Sequence, residues 1–145
     1  MEIILIFLII ISGLLGGYTM NFQKTTLLVG KKLAPDNEFL PRGMQDAITP
    51  ESQNTRNILF PISILAILII GFFVTKWYFA ILIALGTFIV VTPICQQFMP
   101  KPESKHYLDA IKNGLTKKLE LYKRKNDTDR IEAATSVLEQ LNEIS

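Results

Sequence analysis

The sequence predicts an all-α integral membrane protein with three transmembrane helices and a C-terminal cytoplasmic αα-hairpin. The three spans are arranged as an anchor helix plus a transmembrane hairpin. Three observations carry this reading. Apolar residues concentrate in two blocks, 3–18 and 58–95, within which Lys76 is the only charge. The second block is too long to cross a bilayer once. Beyond residue 103 the apolar residues recur at helical spacing on a charged background. Totals say less than distribution: 49% hydrophobic residues would suit many soluble domains. A net charge of +2 implies no polyanionic partner by itself.

The first helix is assigned to residues 1–20. Its apolar run, Ile3 to Met20 at the longest, covers roughly 24–27 Å at ~1.5 Å per residue, near the short limit for a ~30 Å hydrocarbon core. Met1-Glu2 is not a basic leader and no A-x-A-like site follows, so the helix reads as a retained anchor rather than a cleaved signal. Residues 21–55 are polar, without a long periodic pattern, and read as a cytoplasmic loop. Thr49-Pro50-Glu51 is a helix start: a Thr cap, Pro at the first helical position, an acid in the first turn. That helix either runs on into the membrane, with Pro61 kinking it, or gives way to a fresh one capped by Asn57.

Residues 58–95 would extend about 57 Å as one straight helix, nearly twice the hydrocarbon thickness. The block must therefore fold back, into spans over 56–75 and 76–99. The turn falls at Val74-Thr75-Lys76-Trp77-Tyr78, where the one charge sits among Phe72, Phe73, Trp77, Tyr78 and Phe79 as an interfacial belt would place it. Pro93 removes a hydrogen bond to Ile89 and should bend the last span.

In 101–145 the character changes. Leu108, Ile111, Leu115, Leu119 and Tyr122 mark one amphipathic helix, and Ile131, Ala134, Leu138 and Leu141 a second. Asn126-Asp127-Thr128 separates them, Asn suiting a left-handed cap and Asp or Thr an N-cap. So short a link predicts antiparallel packing. Seven cations on the first helix face five acids in 127–145, although each exposed ion pair contributes only ~0–1 kcal/mol. A hairpin this small buries little apolar surface alone, so its stripe should be completed by another copy, a partner or the membrane face.

Orientation follows from Lys and Arg. With the amino end outside and the carboxyl end cytoplasmic, Lys24, Lys31, Lys32, Arg42, Arg56 and the cations from Lys101 to Arg130 lie inside, leaving Lys76 outside. The high Ile and Lys usage suggests an AT-rich bacterial genome, and together with the spans the expected location is a bacterial inner membrane.

Signatures of chemistry are weak. No Asp, Glu, Lys, Arg or His lies within the hydrophobic interior of the spans, which argues against proton-coupled or ion-coupled transport. Gly30-Lys31-Lys32 is not a phosphate loop, because position 25 is Thr and no Ser or Thr follows the Lys. His106 is the only histidine and Cys95 the only cysteine, so catalytic, metal and cofactor sites are not expected. Lys117-Lys118 and Lys123-Arg124-Lys125 lack interleaved aromatics, so nucleic acid is not an expected partner.

What remains is packing. Ser12, Gly13, Gly16 and Gly17 present small residues four apart, and Ala80 with Ala84 gives the third span a similar face. Such faces let helix backbones approach closely in lipid. They could meet their own hairpin or another chain. The tail residues expected to dock a partner are Leu108, Ile111, Leu115, Leu119, Tyr122, Ile131, Leu138 and Leu141.

The expectation is therefore a small non-catalytic membrane subunit or adaptor in a multi-protein complex. Its partners would be the lipid bilayer, other membrane subunits or itself, and a cytoplasmic protein at the tail. The alternative is a homo-oligomeric pore or membrane-permeabilising protein. The layout is similar to that of flagellar and biopolymer-transport motor subunits and of three-span phage holins. Neither resemblance rests on a motif, so no residue role is carried across.

Overall fold

The computed structural model describes residues 1–33 and 48–144, and these form helices without strands. Five helices follow one another: α1 (Glu2–Leu33), α2 (Glu51–Val74), α3 (Trp77–Phe98), α4 (Lys105–Arg124) and α5 (Thr128–Ile144). The first three are long and apolar enough to cross a membrane, as a multi-pass membrane protein requires.

α1 corrects the sequence reading. It does not give way to a loop at residue 21 but continues for about three more turns. The reason lies in Phe22, Thr25 and Val29, which follow at helical spacing and are all fully buried or nearly so. Glu2 in its first turn and Lys31 and Lys32 in its last complement the helix dipole. The rest of the expected loop, 34–47, lies outside the described residues.

α2 settles the alternatives at Pro61: one helix runs through, with Pro61 inside it. The proline cannot donate to the preceding turn, and nearby the Ser63 hydroxyl donates to the Phe60 carbonyl at 2.7 Å. The helix starts at Glu51, one residue later than the cap motif implies, and the Gln53 N–H donates to the Pro50 carbonyl.

α2 ends where the fold-back is expected. The Thr75 backbone N–H and hydroxyl both donate to the Gly71 carbonyl, and Lys76 turns extended at φ −71°, ψ 148°. α3 then begins at Trp77. Its interior carries a π turn at Thr87–Val91, just before Pro93. There the Thr92 N–H and hydroxyl both donate to the Thr87 carbonyl five residues back. The missing donor at Pro93 is thus accommodated by a local change of helical register.

The chain divides into two compact units. One comprises Met1–Asn21 and Asn54–Lys101, the other Phe22–Gln53 and Pro102–Ser145. The core of the first joins one residue from each membrane-length helix, Leu5, Ile67 and Ala84. Most of its large apolar side chains point outward, among them Phe73 at 79% exposure and Phe98 at 82%.

The second unit is the reverse. Phe22, Val29, Ile48, Tyr107, Ile111, Leu115 and Leu141 are buried within it. α4 and α5 pack against each other. The turn between them closes with Asn126 left-handed at φ 52°, the Asp127 N–H on the Tyr122 carbonyl and the Asn126 N–H on the Lys123 carbonyl. That is a Schellman closure of α4. The Asp127 carboxylate then caps α5 by accepting from the Arg130 N–H at 3.4 Å.

Candidate functional site

The small-residue face of α1 is used inside the chain. A Cβ added at Gly17 would lie 2.7 Å from the Gln96 backbone nitrogen and 3.0 Å from the Cys95 carbonyl carbon. One at Gly13 would meet the Val91 and Cys95 side chains at 2.7 and 2.9 Å, and one at Gly16 would run into Phe60 and Thr92. Ser12 is fully buried on the same helix. On α3, Ala80 and Ala84 are buried, Ala80 lying opposite Gly71 of α2. Between its own hairpin and another chain, this face meets its own hairpin.

A polar clasp closes the end of this unit opposite the Thr75-Lys76 turn. The Asn21 side-chain amide donates to the carbonyls of Gln96 at 3.1 Å and Pro100 at 2.9 Å, while the Gln96 amide donates back to the Asn21 side-chain oxygen at 2.7 Å. The Gln96 carbonyl also accepts from the Met99 N–H at 3.3 Å, so the clasp ties α1 to the last turn of α3 and to the residues just beyond it. Beside it, the Arg56 guanidinium stacks 4.4 Å over the Tyr18 ring. The sequence carries a faint sign of this clasp, an Asn and a Gln at the ends of two apolar runs.

The tail hairpin is not left with an open stripe. Ile111, Leu115 and Leu141 are buried, so they offer no surface to a partner. Leu108, Leu119, Tyr122, Ile131 and Leu138 are half-buried. Their cover comes from the chain itself. Phe22 meets Tyr107 edge to face at 5.8 Å, and Pro50 lies against Gly114 so closely that a Cβ there would be 2.9 Å from the Pro50 Cβ. Tyr107 and Val137 belong to the buried set although the apolar pattern omitted them.

Two further ties involve Glu103, which sits left-handed at φ 63°. Its N–H donates to the Thr25 hydroxyl at 3.0 Å and its carboxylate pairs with Lys32. A conformation that ordinary side chains avoid is thus held at both ends by α1.

What stays open on this unit is a groove of about 450 Å³ between the start of α2 and the outer side of α4. Pro50, Ala110 and Gly114 line it, with Ser52, Asn113, Lys117, Lys118 and the 41%-exposed Leu121 around them. The Lys118 ammonium donates to the Thr49 carbonyl at 2.9 Å. Among the described residues no group of three or more His, Cys, Asp or Glu side chains converges. His106 is exposed at the start of α4, edge-on to Tyr107 at 5.4 Å.

Fold and surfaces define a class: a small helical protein with three membrane-length helices and a second helical unit carrying an open groove. Comparison with protein families, with curated proteins and with solved structures found no match.

Proposed function

We propose that the chain is a non-catalytic membrane subunit or adaptor, seated in a bacterial inner membrane with its amino end outside and its carboxyl end in the cytoplasm. The three apolar helices are its anchor. The second unit is its cytoplasmic module and docks a protein partner through the groove beside α4. The observation that supports this most is the contrast between the two units. One is uncharged inside and apolar outside, as lipid demands. The other has an apolar interior and a charged exterior, as water demands.

The pore reading is less well supported. The small-residue face that would assemble a homo-oligomeric pore is taken up by contacts within the chain. A docking role for the groove also replaces the expectation that Ile111, Leu115 and Leu141 anchor the partner, since their side chains are spent on the unit's own core.

Purification of the tagged chain in mild detergent should recover companion chains. Lys117→Glu with Leu121→Asp should abolish that recovery, whereas Phe73→Ala on the outer apolar surface should not. Recovery of the wild-type chain only as a folded monomer, by native mass measurement, would sink the adaptor reading. Topology is tested in a Cys95→Ser background. Cysteines at Asp36 and Ser145 should label from the same side of the bilayer, and one at Lys76 from the other.

A further inference from the structure

Two outward-facing surfaces of the second unit complement each other. The groove beside α4 has an apolar floor at Pro50 and Gly114 and a cationic rim at Lys117 and Lys118, with Glu51 the anion among its lining residues. Arg124, seven residues after Lys117 on the same helix, falls on the same side and extends the positive edge. The other surface is on α5. Asp129, Glu132, Ser136, Glu139 and Glu143 recur at spacings of three and four, which places them along one stripe.

That stripe faces away from the core, for Ala134, Val137 and Leu141 are the buried residues of α5 and the four acids are exposed. None of the four joins an ion pair among the described residues. Like charges three and four residues apart on a helix repel, so in a single copy this stripe disfavours its own helix. A cationic groove laid along it removes the repulsion. Ala133 and Ser136, small and exposed beside the acids, leave room for Leu121 to approach.

We propose that the groove of one copy receives the acidic outer face of α5 from a second copy. The inference rests on the reading of this unit as a docking module and names its occupant. Exposed charge pairs are individually weak and screened by salt. Confinement of both copies to one membrane raises their effective concentration, which is how weak pairs become sufficient.

The test uses full-length protein carrying donor or acceptor fluorophores, reconstituted in neutral phosphatidylcholine vesicles. Wild-type copies should show energy transfer that falls several-fold when ionic strength rises roughly tenfold. Glu132→Lys with Glu139→Lys should lose transfer, as should Lys117→Glu with Arg124→Glu. Mixing the two variants should restore it, because the unaltered cationic groove of the first then meets the unaltered acidic stripe of the second.

Three results would overturn the proposal: transfer insensitive to salt, transfer unchanged in either variant, or loss without recovery on mixing. Helicity by circular dichroism accompanies each variant, and the wild-type salt response decides the matter if one fails to fold. Absence of wild-type transfer also overturns it. Should the groove capture a different acidic chain in the purification above, the adaptor reading stands while this inference falls.

Discussion

The two units solve the same problem, holding helices together, with opposite materials. In the first, close contacts are made by Gly13, Gly16, Gly17, Ala80 and Thr92, and large side chains turn outward. In the second, Phe22, Tyr107, Ile111 and Leu115 turn inward and the exterior carries charge. Of the largest fully buried side chains, Ile67 is the one big apolar residue from the first unit. With the units placed as proposed, one in lipid and one in water, the difference teaches what each solvent rewards. In lipid a buried leucine gains nothing over an exposed one, so close backbone approach and hydrogen bonds hold the bundle. In water the removal of apolar area from solvent dominates.

The contrast breaks most visibly at Gly17. Gly17→Leu drives a side chain into the backbone of Cys95 and Gln96, and overpacking against backbone that cannot yield costs about 3 kcal/mol. Cys95, the only thiol in the chain, supplies the measurement. Its maleimide labelling in detergent should accelerate strongly as α1 separates from α3. Unchanged labelling would mean that the glycine contacts do not hold the bundle.

Next in size is Ile111→Ala, which leaves a cavity in the second unit's core and should destabilise it by about 2–4 kcal/mol, read by denaturant unfolding of the full chain. Because burial is what stabilises this unit, the same change should leave Cys95 labelling as it was. A rise in labelling would show that the units do not differ in the way described. The smallest effect is at the α4–α5 turn. Asn126→Gly relieves the left-handed backbone at φ 52° and should stabilise by about 0.5 kcal/mol, whereas Asn126→Val should destabilise by about 1–2 kcal/mol.

Features written as runs or as punctuation were legible in the sequence. The return at Thr75-Lys76 follows from a greasy block too long for one crossing, and the Asn126-Asp127 turn from residues whose side chains suit a left-handed cap and an N-cap. The extension of α1 was not legible, because Phe22 and Val29 are separated by Thr25, whose buried hydroxyl serves Glu103 rather than marking an apolar stripe. Tyr107 also fell outside the expected stripe, which began at Leu108 beside it; its burial comes from Phe22, remote in sequence. The cover on the α4–α5 pair was invisible because it comes from residues 22–33 and 48–50, remote in sequence and too few to show a period. The groove beside α4 exists through Gly114 and Pro50, a close approach that spacing alone does not announce.

Each unit is assembled from two separated stretches of chain, with crossings after residues 21, 53 and 101. This has a consequence for biosynthesis. Phe22, Val29 and Ile48 leave the ribosome long before Tyr107, Ile111 and Leu141, so their apolar side chains wait uncovered while the hairpin is being made. A ribosome that stalls after residue 101 releases a product whose three membrane-length helices are complete and whose early sticky surface is never capped, the kind of species that quality-control proteases remove. For the same reason a 102–145 fragment is no stand-in for the whole unit. A soluble version must join that stretch to residues 22–53 through a designed linker.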